Sequence, residues 1–547
     1  MGLFKEVKKP VIKTALAGMS EISPLRPRFV AKSAPCTSGC PNGNQIRDLL
    51  VIIAQAKDYG LTTEQVLEKA WSRIVERNPL PATTSRVCPH PCEDACNRNA
   101  KDGAVAFHEI ERMIGDFGIA KNLKLRRITS ELRREKVAVV GAGPAGLSCA
   151  YQLARRGYRV TMFESFSQPG GLLRYGIPES RLQRDVLDAE IGRILDLGID
   201  LRCNCRIGTD VSLEELRREY STVFLGTGAW KPTPLNVPGE HARNVIGAVD
   251  FLRRVHAREH IALGRKVVIV GAGPTAVDVA HASRQRGARV TMLAAEVTAA
   301  EPEMATLRKK GVRLETPAVP VAIVTGRGNA KSVRAAYLAA AASAAANSLA
   351  SSRRSPGVEF ELEASCVIVA TNREPDLRGL ETVFDGQSWL RIDDFSRAKA
   401  GFFAGGDNTG LDTVTQAIAQ GRVAAETMDQ QFQGLKPEKP ESLPVMTPDR
   451  MKLDWYQPAP RRLAANAGNG AGNSAHRKEW SVEDLVDEAK RCMSCGMCMD
   501  CETCWMYCSN NCFVRLPKGE HSRIKLELCN GCKKCAEACP SGYIELF

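Results

Sequence analysis

Two stretches of the chain carry the same hydrophobic pattern. Lys136-Val-Ala-Val-Val140 is a short apolar run behind one lysine, and Lys266-Val-Val-Ile-Val270 repeats it. Valine-rich runs of this length, bounded by glycine, predict strands buried on both faces of a parallel sheet. Each leads through a helical stretch into a second strand, Tyr158–Phe163 in the first unit and Ala288–Leu293 in the second. Strand, helix and strand in succession predict a nucleotide-binding α/β fold, here present twice. Phe224-Leu-Gly226-Thr227-Gly228 closes the first half, and Ser365-Cys-Val-Ile-Val-Ala370-Thr371 closes the second unit. Gly401-Phe-Phe-Ala-Gly405-Gly406-Asp407 then returns to the first unit, so the second fold is expected to lie inside the first.

Outside these folds the pattern changes. Glu64–Glu76 places Val66, Leu67, Ala70 and Ile74 at helical spacing, and residues 1–130 read as a helical, cysteine-bearing segment. Ala335–Ser352 is alanine-rich and reads as a surface insertion. Pro437–Ser474, with prolines and then Asn-Gly-Ala repeats, reads as a linker long enough to lay the C-terminal part across another domain or subunit. Asp484–Arg491 predicts a short helix. The expected organisation is a helical domain at 1–130, an outer fold from 131–255 and 375–434, an inner fold at 256–374, a linker at 435–480 and a final domain at 481–547.

The turns after the valine-rich strands carry chemistry. Gly141-Ala-Gly143-Pro-Ala-Gly146 and Gly271-Ala-Gly273-Pro-Thr-Ala276 are glycine loops opening helices. Glycine there allows the tight turn and lets backbone approach a pyrophosphate at the helix N-terminus. Glu164 and Glu296 follow the second strands, where an acid can hold a ribose hydroxyl. A glycine loop alone is weak evidence, but flanking strand, helix and acid make it specific.

Composition adds the metal chemistry. The chain has 547 residues, formal charge +13 and twenty cysteines. No run of about 18 apolar residues appears, so no membrane span is expected. Residues 1–20 are basic without an apolar core, so no signal peptide is expected, and the cysteines read as metal ligands in a reducing cytoplasmic compartment. Positive charge is scattered, which favours an acidic redox partner over nucleic acid. Cys498-x2-Cys501-x2-Cys504-x3-Cys508 and Cys529-x2-Cys532-x2-Cys535-x3-Cys539 form the ligand run of a two-cluster ferredoxin. In that arrangement Cys498, Cys501, Cys504 and Cys539 hold one [4Fe-4S] cluster, and Cys529, Cys532, Cys535 and Cys508 hold the other. Zinc knuckles are the alternative, although zinc sites normally set two C-x2-C pairs well apart. Cys492, Cys495 and Cys512 fit neither run and read as buried or partly exposed thiols, with Cys495 as an alternative ligand. Cys149, Cys203, Cys205 and Cys366 read as core.

Two nested nucleotide folds are the layout of flavin disulfide-reductase-type proteins. Gly170-Gly171-Leu172-Leu-Arg174-Tyr175-Gly176-Ile-Pro178, with Arg181 and Asp185–Glu190, resembles the small subunit of NADPH-dependent glutamate synthase. The N-terminal half of dihydropyrimidine dehydrogenase and the small subunit of bifurcating transhydrogenase are similar. This resemblance runs from about Cys36 to Gln431. It implies a multidomain α/β protein with FAD in the outer fold, NAD(H) in the inner fold and [4Fe-4S] clusters in a helical N-terminal domain. FAD ligation is expected from Gly141, Gly143, Gly146, Glu164, Gly171, Leu172, Arg174, Gly228, Gly406, Asp407, Thr415, Gln416 and Ala417. The helix starting near Thr415 would aim backbone N–H groups at the flavin. No acid–base residue is expected, because the cofactors carry the chemistry.

The resemblance also bears on the N-terminal cysteines. Two family cysteines fall on Arg28 and Ala31 here, so Cys36 and Cys96 are left as too few thiolates for one cluster. Cys40, Cys88, Cys92 and Glu111 would hold the other, giving three clusters in all. At the end of the inner fold's second strand, NADPH-using relatives carry a Tyr-Arg-Arg run. Ala294-Ala295-Glu296 stands there in this chain, so NADP(H) is disfavoured, with Arg289 and Arg308 as partial compensation. The ferredoxin tail, with Lys525, Lys533 and Lys534, is expected to face a protein partner. Asn530–Glu537 and residues 13–27 resemble the branch that serves dissimilatory sulfite reductase in sulfur-oxidising bacteria. The same architecture serves 2-oxoacid:ferredoxin oxidoreductases, benzoyl-CoA reduction and, without the tail, glutamate synthase. A ferredoxin is another expected partner, and a homodimer is allowed.

Overall fold

Both valine-rich runs form central strands. The computed structural model describes residues 23–57, 60–338, 357–439, 442–462, 480–517 and 522–547. The outer sheet has the order Phe402–Ala404, Thr222–Leu225, Lys136–Val140, Arg159–Phe163, Asp200–Arg202, all parallel. The inner sheet has the order Arg313–Glu315, Arg289–Leu293, Lys266–Val270, Cys366–Val369, Val245–Gly247, also all parallel. The inner sheet's strands fall in sequence between Thr222–Leu225 and Phe402–Ala404, so one fold is nested in the other. Val137–Val139 and Val267–Ile269 are almost wholly buried, as strands covered on both faces must be. A three-stranded antiparallel meander, Ala318–Gly326, Asn329–Tyr337 and Glu359–Glu363, packs on the inner fold.

The 19-residue helix Val414–Phe432 lies along the first glycine-loop helix, Pro144–Ala154. Close approach is possible because Gly421 has no side chain: a Cβ there would stand 2.0 Å from the Ala145 carbonyl oxygen. The Ser148 hydroxyl donates to the Ile418 carbonyl at 2.7 Å across the same seam.

The N-terminal segment is helical, with helices Ile46–Ala54, Thr63–Val75, Pro81–Val87 and Phe107–Ala120. Thr63–Val75 starts in a capping box made by Thr62 and Gln65, which satisfies two otherwise orphaned N–H groups. Its buried face runs into the core of the outer fold, where Trp71 and Ile74 share one hydrophobic cluster with Leu147 and Tyr151. The Tyr151 hydroxyl donates to the Val75 carbonyl at 2.7 Å.

The C-terminal domain is stitched onto this body. Pro27–Phe29 pairs antiparallel with Ile544–Leu546, setting Arg28 opposite Glu545. The Lys32 ammonium, almost wholly buried, donates to the Gly542 carbonyl and pairs with Glu545, both at 2.8 Å. Arg491 is also buried. It donates to the carbonyls of Ala104 and Gly103 and pairs with Glu488 at 2.5 Å.

Two expectations change here. Residues 442–462 of the expected linker are packed chain. The Ser33 N–H donates to the Pro444 carbonyl and the Met446 N–H to the Ser33 carbonyl, Asn97 donates to the Met446 carbonyl, and the Tyr456 hydroxyl donates to the Met493 carbonyl. Low-complexity composition suggested free chain, but Met446, Met451 and Tyr456 supply enough apolar surface to dock it. Of the expected insertion, Ala335–Tyr337 belongs to the strand Asn329–Tyr337. Residues 339–356 and 463–479, and most of the 13–27 stretch, lie outside the described residues.

Candidate functional site

A large cleft opens where the two nucleotide folds face each other, with about 1730 Å³ of empty space, part of it open to solvent. Gly141, Gly143 and Ala145 form its floor, Gly171 and Leu172 one wall, and Gly228, Gly406, Asp407 and Ala417 another. Glycine is required at the floor by geometry. Gly141 has φ 96°, and a Cβ there would stand 2.3 Å from the Gly226 carbonyl oxygen. Beside Gly143 a Cβ would meet only the Gly171 Cα, at 3.9 Å, so bare backbone lines this side. Pro144 begins the following helix and loses no needed N–H by doing so. This bare backbone leaves room for a pyrophosphate, and the residues present fit FAD.

Glu164 is buried directly after its strand. Its carboxylate accepts from the N–H groups of Ala142 and Phe166, both at 2.9 Å, and burial raises its pKa. Asp407 is also raised, first by burial, against the opposing pull of Arg373 at 3.2 Å. Gly146 packs on the Gly141 carbonyl rather than lining the cleft. Arg174 is buried against the Pro169 carbonyl and Asp188. Thr415 and Gln416 stand in the first turn of the helix Val414–Phe432, where the Thr413 side chain caps the Gln416 N–H.

The inner fold also reaches this cleft, through Pro274, Thr275 and Asp278 on the helix Pro274–Gln285. Arg181 of the outer fold pairs with Asp278 at 3.2 Å. Gly271, with φ 126°, repeats the geometry of Gly141, and Ala276 is buried in the helix behind it. Glu296 is exposed in the loop after Arg289–Leu293. Neither expected compensating arginine is free to stand beside it. Arg289 begins the strand, at the end away from the glycine loop, and Arg308 is paired with Glu301 at 2.5 Å. Thr227, of the Gly226-Thr227-Gly228 run, lines the cleft, and so do Arg373, Trp230 and Asp278, which no sequence motif marks. They follow strand ends or sit on helices with no distinguishing motif. Cys205 lines it too, half-buried, and Cys203 is likewise half-buried, whereas Cys149 and Cys366 are core.

A second site lies behind the first turn of Val414–Phe432. Cys40, Cys88, Cys92 and Glu111 act on one another electrostatically there. His90, in the left-handed region at φ 60°, turns the chain between Cys88 and Cys92. The Glu111 carboxyl is buried and accepts from Asn78 and Thr84, both at 3.1 Å on Oε1. Burial pushes it up to about 8, and burial also raises Cys88 to about 11 and Cys92 further. Two buried thiols and the half-buried Cys88 around a buried carboxyl are unfavourable as anions unless a cationic centre compensates them, so the donor set fits a metal centre. The Thr415 hydroxyl donates to the Cys88 sulfur at 3.1 Å.

The ferredoxin runs form two cavities. Cys498, Cys501, Cys504 and Cys539 line one with about 680 Å³ of empty space. Cys508, Cys529, Cys532 and Cys535 line another of about 360 Å³, and Cys512 joins them. Each cavity therefore takes its fourth thiol from the opposite run.

The sequence profile of the pyridine nucleotide-disulphide oxidoreductases matches residues 135–421, more than half the chain. The chain belongs to that family. Residues 28–123 match dihydropyrimidine dehydrogenase domain II, a 4Fe-4S cluster domain, and residues 523–545 match a 4Fe-4S binding domain. An NAD-dependent dihydropyrimidine dehydrogenase subunit homologue of Salmonella typhi is 31% identical, over 73% of this chain and 91% of its own length. The glutamate synthase [NADPH] small chain of Mycobacterium tuberculosis is 30% identical, over 75% of this chain and 89% of its own. The NADP(+)-dependent formate dehydrogenase subunit beta of Moorella thermoacetica is 33% identical over 73% of this chain, which spans 60% of that subunit. This member of the pyridine nucleotide-disulphide oxidoreductases thus carries an iron–sulfur domain ahead of its nucleotide folds and a ferredoxin-like region after them, and it spans about half to three fifths of the formate dehydrogenase and Fe(3+) oxidoreductase beta subunits it matches. No helix among the described residues is long and apolar enough to cross a membrane.

Proposed function

We propose that the protein passes electrons between NAD(H) and a protein redox partner, through FAD and [4Fe-4S] clusters. The observation that carries this reading is the Thr415–Cys88 contact, which joins the flavin-facing helix to a cluster thiolate. FAD supplies the exchange between two-electron hydride chemistry and single electrons. The chain's own residues bind and orient. Gly141, Gly143 and Gly171 admit the pyrophosphate, and Glu164 holds the ribose end. The first-turn N–H groups of Val414–Phe432 stabilise negative charge at the ring. Asp278 and Arg181 meet across the cleft where the nicotinamide fold faces the flavin fold. Cys40, Cys88, Cys92 and Glu111 hold the cluster nearest the flavin helix.

Glu296 supports NADH as the nucleotide. Its exposed carboxylate stands where a 2′-phosphate would need cations, and no arginine adjoins it in the run Ala294-Ala295-Glu296. The similar formate dehydrogenase subunit is NADP(+)-dependent and the similar dihydropyrimidine dehydrogenase subunit NAD-dependent, so kinship alone does not decide the nucleotide.

Relatives named as subunits or small chains support a larger assembly as partner. The face nearest Cys508, Cys529, Cys532 and Cys535 suits docking. Lys525 and Lys534 are exposed there, with Leu526 and Leu528 exposed beside them. Dissimilatory sulfite reductase is the partner we favour, on the resemblance of Asn530–Glu537 and residues 13–27. A 2-oxoacid:ferredoxin oxidoreductase or benzoyl-CoA reductase is the alternative. Anaerobic mixing with NADH should bleach the flavin and then produce the electron paramagnetic resonance (EPR) signals of reduced clusters. Flavin reduction with the clusters left oxidised would refute the proposed route.

A further inference from the structure

Cys36, Cys96, Cys492 and Cys495 line one cavity between the N-terminal helical segment and the C-terminal domain. Cys36 lies in the first turn of the short helix Pro35–Gly39, and Cys96 precedes the turn Asn97–Ala100. Cys492 and Cys495 come from the loop after the helix Val482–Ala489. Two thiols therefore arrive from each side. We infer that these four cysteines hold a fourth [4Fe-4S] cluster, shared between the two domains. The inference rests on the cluster route proposed above and raises the expected count from three to four.

The cavity matches the other two cysteine cavities in size. It has about 450 Å³ of empty space, between the 360 Å³ and 680 Å³ of the ferredoxin pair. Apolar side chains, among them Ile46, Leu50, Val105 and Met493, close the rest. Cys92 touches its edge, so the site adjoins the cluster site next to the flavin helix. Asn97 directs its amide N–H group at the Cys495 sulfur at 3.7 Å, a donor suited to a ligating thiolate. Arg47 donates to the Cys495 carbonyl at 2.8 Å and to the Lys32 carbonyl at 3.1 Å, and Arg98 donates to the Arg491 carbonyl at 2.5 Å. Two guanidinium groups thus border the cavity and would balance an anionic cluster.

Zinc is the competing occupant. Among the described residues, no three of His, Cys, Asp and Glu close tightly enough to hold a single ion. The same is true of the ferredoxin cavities. A cubane is larger than an ion and takes its thiolates from farther apart, so a site too open for zinc can still hold a cluster. The exchange of roles is also visible in the backbone. The strand Pro27–Phe29 is taken up by the ferredoxin sheet, where Arg28 pairs with Glu545 and stacks on Phe547. The C-terminal domain returns Cys492 and Cys495 to the helical segment.

Iron and acid-labile sulfide counts on anaerobically purified full-length protein decide the matter without any variant. We expect about sixteen irons per chain, at four per cluster. Cys36→Ser and Cys495→Ser, one from each side, should each lose about four irons and the same reduced-state EPR signal. FAD content serves as the check that each variant has folded. About twelve irons in the wild-type protein would overturn the fourth cluster and leave the flavin-side site standing. About eight would overturn both. Variants that keep the full iron count would also overturn the assignment.

Discussion

Thr415 donates its hydroxyl proton to the sulfur of Cys88 at 3.1 Å, across 327 positions of sequence. One residue belongs to the helix that faces the flavin cleft, the other to the loop of a cluster site. A donor on a ligating sulfur favours the reduced, more negative cluster. Thr415→Val keeps the shape and removes the donor. The midpoint potential of that cluster should fall by about 20–40 mV, if the bond is worth up to ~1 kcal/mol. An EPR-monitored redox titration checks it, and an unchanged potential would mean that Cys88 is not a ligand.

Asp278 gives a pH dependence. Burial raises its carboxyl to about 6 despite Arg181 at 3.2 Å, so its charged form is disfavoured in the fold. Below the ordinary aspartate value both states hold the proton, and there is no penalty. Between pH 4 and 6 the unfolded chain ionises while the folded one resists, so the penalty grows and then levels. Asp278→Asn should therefore be more stable than wild type by about 1–3 kcal/mol at pH 7.5. That advantage should shrink as pH falls toward 4.5. Thermal unfolding at both pH values tests this, and destabilisation at pH 7.5 would contradict it.

The contact at Gly421 predicts a packing failure. A methyl group there meets the Ala145 carbonyl oxygen at 2.0 Å, with backbone on both sides. Gly421→Ala must push the helices Pro144–Ala154 and Val414–Phe432 apart, at a cost of about 1–3 kcal/mol. Reduced FAD occupancy should accompany the lower unfolding temperature. Gly192→Ala, inside the helix Arg184–Leu195 where a Cβ meets nothing within 4 Å, should leave FAD occupancy unchanged and should not lower the unfolding temperature.

Nucleotide choice follows from Glu296. Restoring paired cations while removing a like charge should be worth on the order of 2–4 kcal/mol toward NADPH. That is roughly thirty- to a thousand-fold in relative kcat/KM. Wild type should prefer NADH, and Ala295→Arg with Glu296→Arg should narrow or reverse that preference in steady-state dye reduction. A wild-type preference for NADPH would refute the assignment.

Much of the fold was legible because its signals are local. The valine-rich runs, the glycine loops and the acids after the second strands all lie within a few dozen residues, and the structure places them in two parallel sheets as their order implied. The thiol spacing in each ferredoxin run likewise reports a single tight loop. The linker was misread for a related reason. Composition reports flexibility on average, but three well-placed side chains, Met446, Met451 and Tyr456, were enough to dock that stretch. The roles of Arg28, Cys36 and Cys96 were harder still, because none has a partner nearby in sequence.

By itself, then, the sequence determined the nested nucleotide folds, the glycine turns that line their cleft and the two ferredoxin loops, since backbone conformation and cysteine spacing are set over short stretches. Tertiary structure alone decided that Pro27–Phe29 joins the strand Ile544–Leu546, that Thr415 meets Cys88, and that Cys36 and Cys96 face Cys492 and Cys495. Such meetings are the outcome of burial summed over whole surfaces. Lys32, Arg47 and Arg491 hold the C-terminal domain against the N-terminal helices through carbonyls that every residue has. A carbonyl leaves no mark in an amino-acid sequence, so the seam it builds becomes visible only when the chain is folded.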